Sequence, residues 1–428
     1  ISIIRIVCVH ARSVQCSWEM GTDGDERLPA PDAAQEDVRK LHPVELAELA
    51  DDLHHPTSPQ VRWAAEARLR DLGHEAGEVG HVALGEAACN EKYEGYLRMR
   101  SAQALGQLRG SSSETGARAL ATTLLHEDND MYLRCAAAAS LGNLRETASK
   151  VGVASLGRAL ETDNHIFVRR QAAASLGEIG ADAGMTATTN ATVPALRMAL
   201  KQDSDVNVRW RACESLGKLG ILAGDAGVAA LAEALRNDAD MGARWRAAEA
   251  LGLLSEIAGD VGASALVNAL HHDRSGVVRD QASAAVEKTQ AKSLSVLGSS
   301  EHDEYFRGRA ALALGELGTL ARQEAVEALV RSLFSDDATY VRRRVCDALA
   351  RLGLASGQVG AAALAKASTE DADIFVQCKA GEVLEGLGTL GEAGQAAFDK
   401  VLKGEAVSDA SLFTHIEKKK VDELYANG

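Results

Sequence analysis

The sequence predicts an all-helical protein, an α-α superhelix of about ten stacked two-helix repeats. Beyond residue 60 the chain contains one proline, Pro194, so little interrupts helices that are rich in Ala, Leu, Glu and Arg. The 428 residues include only 4 Trp, 6 Tyr and 6 Phe, too few for a core built on large rings. In addition, a short segment recurs about every 35 residues, a period typical of helical repeat arrays.

The recurring segment starts with an apolar residue followed by an arginine that we call the anchor, as in 168–177 and 208–217. It follows the pattern Val-Arg-x-x-Ala-Ala-x-x-Leu-Gly, whose spacing is that of an amphipathic helix. In each repeat a first helix, such as 151–160, should precede this second helix. The ten anchor positions are Arg62, Arg98, Arg134, Arg169, Arg209, Arg244, Arg279, Arg307, Arg342 and Gln377.

Glycines predict where the second helices end. A glycine follows the pattern leucine at positions 106, 142, 177, 217, 252 and 315. Glycine commonly ends a helix because it adopts the left-handed conformation without a Cβ clash. A second glycine, at position 180, 220 or 318, offers a later end in three repeats.

An aspartate stands six residues before most anchors, in the turn between the two helices, and Asp128 is the first of these. Its carboxylate can accept hydrogen bonds from the start of the second helix. In a stack it can also bind an arginine of its own or of a neighbouring repeat, which predicts a ladder of charge-assisted hydrogen bonds. The predicted ladder residues are Asp163, Arg169, Asp203, Arg209, Asp238, Arg244, Asp273 and Arg279.

Two irregular steps predict the domain organisation. A step of 40 residues adds a polar loop around 186–190, and a step of 28 residues after the seventh anchor removes about seven residues. There Glu287 replaces the pattern glycine and the next first helix shrinks to 291–297, so we expect a bend. The expected parts are a leader or disordered segment at 1–40, repeat arrays at 41–285 and 286–405, and a C-terminal tail at 406–428.

Charge and cysteine content exclude some classes of function. The formal net charge of −15 disfavours a phosphate backbone, so no nucleic-acid partner is expected. No apolar run reaches the roughly 18 residues of a membrane span. The seven cysteines form no CxxC pair, which favours reduced thiols and an intracellular, cytoplasmic location.

The two-helix unit, the spacing from aspartate to anchor and the Val-Arg-x-x-Ala-Ala-x-x-Leu-Gly signature resemble the HEAT repeat family, in particular its phycobilisome-lyase-type (PBS lyase) repeats. The resemblance covers about residues 44–403. It implies a right-handed solenoid whose second helices line the concave side. The plastid stroma is the alternative location.

Some members of this family are enzymes, so we compared the sequence with the metal-binding motif of one of them. Deoxyhypusine hydroxylase, a HEAT-like solenoid, places the His-Glu pairs of its di-iron site directly after the anchor arginine. No anchor of this sequence is followed by His-Glu, so that activity is rejected. The dipeptide His74-Glu75 lies in a glycine-flanked connection and is interpreted as a solvated loop. No catalytic or metal site is predicted.

One surface of the second helices is a candidate binding site. It includes residues one and two places after the anchor, namely Trp210, Arg211, Trp245, Arg246, Arg309 and Arg344. The arginines can pair with acidic residues three places further on and merely solvate the helix. Alternatively, stacked tryptophans and forked arginine donors form a groove that suits an acidic or aromatic partner.

Two functions agree with this reading. We favour a non-enzymatic scaffold without a cofactor, which binds a protein partner along its concave face. An acidic partner would suit the arginines. The alternative is a bilin-lyase-like, chromophore-handling subunit, in which Trp and Arg side chains hold a flat bilin tetrapyrrole and its propionates.

Overall fold

The computed structural model describes residues 42–108, 113–145, 149–182 and 189–402. In these ranges every regular element is a helix and there is no strand, which confirms the all-α prediction. The expected leader segment at 1–40, the expected tail at 406–428 and residues 186–188 of the expected loop lie outside the described residues.

First and second helices alternate along the chain as far as the seventh anchor. The first helices are α1 (Pro43–Leu53), α3 (Gly77–Cys89), α5 (Ser113–Leu125), α7 (Ser149–Thr162), α9 (Thr189–Gln202), α11 (Gly224–Asn237) and α13 (Gly259–His272). The second helices are α2 (Pro59–Leu72), α4 (Gly95–Gln107), α6 (Met131–Leu144), α8 (Ile166–Asp182), α10 (Val206–Lys218), α12 (Met241–Leu253) and α14 (Gly276–Leu297).

Two second helices then follow one another, because the helix after α14 again carries an anchor. Alternation resumes with the next helix. The remaining second helices are α15 (Glu304–Glu316), α17 (Thr339–Leu352) and α19 (Ile374–Gly386). The remaining first helices are α16 (Gln323–Ser335), α18 (Gly357–Glu370) and α20 (Thr389–Leu402).

The helices pack in two layers. Each second helix packs against the second helix of the next repeat, as α4 does against α6. The first helices do the same, as α3 does against α5, except between α13 and α16. The core is made mainly of alanine, leucine and valine, with Leu141 and Leu176 fully buried. A single unit of this kind cannot bury its apolar face, so the repeats depend on the stack for stability.

The pattern glycines bring neighbouring second helices together. They lie inside helices, and none of them has a positive φ. A Cβ atom on Gly177 would lie 2.6 Å from the Cβ of Ser215 in the next second helix. The buried Ser215 hydroxyl donates to the carbonyl oxygen of Ala173 at 2.8 Å. The expectation that these glycines act as left-handed helix ends is therefore wrong.

At two of the later positions that the sequence offered, a left-handed glycine does follow the second helix. Gly220 and Gly318 have φ values of 56° and 54° and each begins a single-turn 3₁₀ helix. At Gly180, by contrast, α8 continues to Asp182. A Cβ atom on Gly180 would clash with the side chain of Leu219.

The short repeat has no separate first helix. Helix α14 runs over 22 residues without a break, because no glycine or proline lies between Gly276 and Gly298 and Glu287 stands at the pattern-glycine position. The segment 291–297 is the end of α14, so the predicted short first helix is wrong. Helix α15 packs against both α13 and α14, and we call this junction the seam. The array boundary expected at residue 286 falls inside α14.

Among the residues that the structure describes, one apolar stretch, Thr339–Glu370, is long enough to cross a membrane by length and composition alone. It comprises α17 and α18, which a 3₁₀ turn at Gly353–Ser356 separates, and 61% of the apolar window is buried in the protein. A second candidate joins Val206–Lys218 to Gly220–Asn237 at a bend of 119°. Buried core helices pass the same test, so both are weak evidence for a span.

Replacing Gly177 with alanine should destabilise the array. The added methyl group has to displace Ser215, and such overpacking costs about 1–3 kcal/mol. Gly386→Ala is the matched control, because Gly386 is helical and has no neighbour within 4 Å of an added Cβ. Alanine there should stabilise the helix by up to about 1 kcal/mol. Thermal unfolding followed by circular dichroism measures both changes, and an unchanged melting temperature for Gly177→Ala would contradict the packing role.

Candidate interaction surface on the second helices

The anchor arginines connect consecutive repeats. In Arg169, Nε and Nη2 donate to the carboxylate of Asp203 in the following repeat at 2.7 and 3.0 Å. Its Nη1 donates to the backbone oxygen of Asp163 in its own repeat at 3.0 Å. The same bidentate rung joins Arg134 to Asp163, Arg209 to Asp238, Arg244 to Asp273, Arg307 to Asp336 and Arg342 to Asp371.

The ladder aspartate ends the first helix. Asp238 is the C-cap of α11, and its Oδ1 accepts a hydrogen bond from the backbone N–H of Asp240 at 2.9 Å. Asp240 is the N-cap of α12, and its own carboxylate accepts from the backbone of Ala243 at 2.9 Å. The expectation that the ladder aspartate caps the second helix is therefore wrong, since the cap lies two residues later.

The ladder changes near the amino-terminal end and at the seam. The third repeat uses Asn129 where the spacing pointed to Asp128, and Asn129 Oδ1 accepts from Arg98 Nη2 at 2.7 Å. At the seam Arg279 donates to the backbone oxygen of Asp273 at 2.7 Å. Within the described ranges no carboxylate lies at ion-pair distance from Arg279, because the next repeat lacks the aspartate turn. One predicted rung is thus missing.

The rungs are buried and electrostatically strong. The Arg244 and Asp273 side chains are 4% and 5% exposed. The carboxylate hydrogen bond raises the pKa of the anchors Arg169, Arg209, Arg244 and Arg307. Burial alone would raise the pKa of Asp273, but hydrogen bonds from Arg244 and from the Ser275 backbone lower it below its ordinary value.

Three of the predicted binding arginines lie on the exposed face of the second helices and carry acidic partners. Arg211 pairs with Glu214 at 2.6 Å and Arg246 pairs with Glu249 at 2.8 Å. Arg344 pairs with an aspartate three residues on, at 3.3 Å. The charges of this face are therefore mixed, as the solvating interpretation expected.

The two predicted tryptophans are half-buried and differ in their contacts. Trp210 donates from Nε1 to Asp240 Oδ1 at 3.0 Å, and its ring edge covers Gly242 in the next repeat. Trp245 lies beside the guanidinium of Arg246, whose Cζ is 4.9 Å from the ring centroid. Trp210 thus bridges two second helices, whereas Trp245 keeps a ring face paired with a cation.

Arg309 does not lie on the free face. At the seam its guanidinium pairs with Asp225 at the start of α11 and donates to the backbone oxygen of Ile257. The Arg309 side chain is 12% exposed. Its assignment to the partner-binding surface is therefore wrong, because the missing first helix lets α15 pack against the edge of the preceding repeats.

The sequence reasoning missed a row of aromatic residues on the second helices. Each stands two places before the anchor or one place after it, and these positions, three residues apart, share one side of a helix. Nine of the ten repeats have such a residue, and together they are nine of the sixteen aromatic residues. We call them the aromatic row: Trp63, Tyr96, Tyr132, Phe167, Trp210, Trp245, Tyr305, Tyr340 and Phe375.

Most of the aromatic row is open to solvent. Six members are exposed, among them Phe375 at 65% and Tyr132 at 61%. Tyr305 is the member at the seam, where its hydroxyl donates to Asp225 at 2.8 Å. The rarity of aromatic residues in the sequence was the signal that could have revealed the row.

In the part of the chain that the structure describes, no group of three or more His, Cys, Asp or Glu side chains is arranged to bind a metal ion. His74 lies in the 3₁₀ turn Gly73–Ala76, between α2 and α3. Cys213 is fully buried, and burial raises the pKa of its thiol.

The two-layer stack and its ladder define a helical repeat protein of the α-solenoid class. The model of HEAT repeats matches residues 81–177, 119–203, 153–252, 193–287 and 293–385. These matches cover more than half of the chain, and the protein belongs to the HEAT repeat family. None of them names the PBS lyase subtype, which stays an expectation from the sequence.

Three solved structures are reported as similar to parts of this chain. An engineered protein is 20% identical with a TM-score of 0.43, over 81% of this chain and 99% of that one. Human deoxyhypusine hydroxylase in complex with glycerol is 21% identical with a TM-score of 0.28, over 72% and 96%. Importin beta is 16% identical with a TM-score of 0.40, over 80% and 53%. No curated protein sequence matches the chain.

The ladder predicts a large difference between two neighbouring arginines. Arg244→Met removes a buried rung and leaves Asp273 without its guanidinium, which should cost about 3 kcal/mol or more. Arg246→Met removes an exposed pair on the same helix and should cost about 0.5 kcal/mol or less. Denaturant unfolding of both variants measures the two changes. Equal shifts of the midpoint would rule out the ladder as the main source of stability between repeats.

The lowered pKa of Asp273 predicts a pH dependence. Its folded pKa lies below the unfolded value of about 3.9. The stabilisation is therefore complete above that value and is lost as pH falls through the folded pKa. Asp273→Asn should lower the melting temperature at pH 7 and flatten its decline between about pH 5 and pH 3. Asp280→Asn removes an exposed carboxylate and is the charge-matched control. Parallel melting curves for Asp273→Asn and wild type would contradict the assignment.

Proposed function

We propose that this HEAT-repeat protein is a non-catalytic scaffold that binds a protein partner along the exposed face of its second helices. The aromatic row is the observation that carries the proposal. The core is made mainly of alanine, leucine and valine, yet nine of the sixteen aromatic residues belong to the row on the second helices, and six of the nine are exposed. Exposed rings add little to the core, whereas Trp and Tyr supply much of the binding energy at protein interfaces.

Arginines beside the rings support a protein partner. Arg170 lies over Phe167 at 5.8 Å from the ring centroid, and Arg344 lies over Tyr340 at 5.1 Å. A guanidinium held against a ring offers directed hydrogen-bond donors next to apolar surface. Arg, Trp and Tyr are the residue types enriched at interface hot spots.

The charge of the face favours a protein over a phosphate backbone. The acidic partners of Arg211, Arg246 and Arg344 interleave negative charge with the positive side chains. Binding to nucleic acid needs clustered positive charge, and the chain as a whole carries −15. The sequence resemblance implies that the second helices line the concave side, and we propose that the partner binds there.

Removing three rings should abolish partner binding and leave the fold intact. The variant Tyr96→Ser, Tyr132→Ser, Phe167→Ser changes three consecutive repeats, with exposed fractions of 54%, 61% and 48%. Interface anchors cost about 2 kcal/mol or more each when truncated. Tagged wild-type protein and the variant are used to recover partners, which quantitative mass spectrometry compares after cross-linking.

The control variant changes exposed apolar residues of the first helices instead, as Val82→Ser, Met198→Ser, Val261→Ser, with exposed fractions of 37%, 46% and 41%. Proteins lost with the first variant and retained with the control are the expected result. Equal recovery with both variants would reject the second-helix face as the binding surface.

A further inference from the structure

A cleft opens on the second-helix face between α17 and α19. Its volume is about 420 Å³. The residues that line it are Tyr340, Arg343, Arg344, Asp347, Lys379 and Glu382. Three cationic side chains thus face two carboxylates. The ring of Phe375, a member of the aromatic row, lies beside Arg343, whose Cζ is 5.9 Å from the ring centroid.

The carboxylates of the cleft do not saturate its cations. Asp347 is shared, because Arg344 Nη1 lies 3.3 Å and Lys379 Nζ lies 3.1 Å from its two oxygens. Glu382 pairs with Lys379 at 3.3 Å, and its side chain is 73% exposed. Arg343 is exposed and has no carboxylate within ion-pair distance in the described part of the chain. Its guanidinium keeps its donors available.

The protonation of the cleft is stable near neutral pH. The hydrogen bond that Lys379 donates to the Asp347 carboxylate raises the pKa of Lys379. Burial by itself would lower the pKa of Arg344, but its contacts with Tyr340 and Asp347 raise it. Both groups therefore stay cationic when Arg343 meets an anion.

We infer that this cleft is a docking site for a carboxylate side chain in an acidic segment of a protein partner, with Arg343 as its main donor and the rings of Tyr340 and Phe375 as flanking apolar contacts. The inference rests on the proposed function and specifies one point of the surface. An arginine fork binds a carboxylate through two parallel hydrogen bonds. Charge complementarity selects the occupant, since Arg343 is the cation without a counter-charge.

A single negative charge suits the cleft better than a phosphate group. The three cations and two carboxylates that line the cleft leave one positive charge in excess, which a single carboxylate neutralises and a phosphate group exceeds. A phosphorylated residue carries about −1.5 to −2 at pH 7, whereas a Glu or Asp side chain carries a single charge. The net charge of −15 also discourages polyanions from approaching the protein.

A peptide-display selection tests the site without a known partner. Random twelve-residue peptides are selected on the full-length wild-type protein, on Arg343→Glu and on Arg236→Glu. Arg236 is the charge-matched control, because it is an exposed arginine of the first helix α11 and lies outside both the cleft and the second-helix face. Wild type and Arg236→Glu should enrich peptides with Asp or Glu next to an apolar residue. Arg343→Glu should lose that enrichment.

The most enriched peptide is then measured by fluorescence polarisation beside its Gln or Asn isostere and its phosphoserine version. The carboxylate peptide should bind about tenfold tighter or more than the isostere, a difference of roughly 1.4 kcal/mol. Affinity should fall as salt rises. Tighter binding of the phosphoserine peptide would contradict the inference, because the preferred ligand would then be a phosphate group and not a carboxylate.

The inference is overturned if no acidic peptides are enriched on wild type, or if Arg343→Glu enriches them equally. The proposed function is tested separately, because Tyr96, Tyr132 and Phe167 lie in other repeats than the cleft. Loss of partners from that variant without any acidic preference would leave the scaffold function standing and remove only the docking site.

Discussion

The bidentate rung between an anchor arginine and the aspartate of the next repeat is the interaction on which the rest of the structure depends. It fixes two repeats at the turn between their helices, since the same guanidinium also binds the aspartate backbone of its own repeat. The second helices of neighbouring repeats then pack side by side and approach closely at the pattern glycines. That closeness requires glycine in one helix and serine or alanine in the next, as Gly177 and Ser215 show.

Because the rungs and the core hold the repeats together, the solvent-exposed face of the second helices is not needed for packing. Stability comes from buried rungs and from a core made mainly of alanine, leucine and valine, in which few large rings are buried. The rings stand instead on the solvent side, where arginines cover several of them. The seam shows the opposite case. There Tyr305 and Arg309 occupy the same repeat positions, but they hold α15 against Asp225 and contribute to packing.

The sequence was sufficient for the helical repeats, because the anchor, the aspartate turn and the apolar spacing all act within one unit. Contacts between repeats were harder to predict. Whether Gly177 ends a helix or lies against a neighbour depends on a residue 38 positions away, and Arg309 looks like Arg344 unless α14 is known to be continuous. The aromatic row is hard to see in the sequence because its members alternate between two positions, two places before the anchor and one place after it. These positions lie side by side only on the surface of a helix. Trp210 and Trp245 predicted the face, but not its extent.

The aromatic row also presents about one ring per second helix. The axes of packed helices lie about 8–10 Å apart, and two rings can lean closer together, as Trp63 and Tyr96 do with centroids 6.3 Å apart. Tyr96, Tyr132 and Phe167 are exposed in three such helices in succession. A polyproline II segment returns to the same side every three residues, after about 9.3 Å. A partner strand of that conformation laid across the helices would present one side chain to each ring, and its length would set how many repeats it occupies.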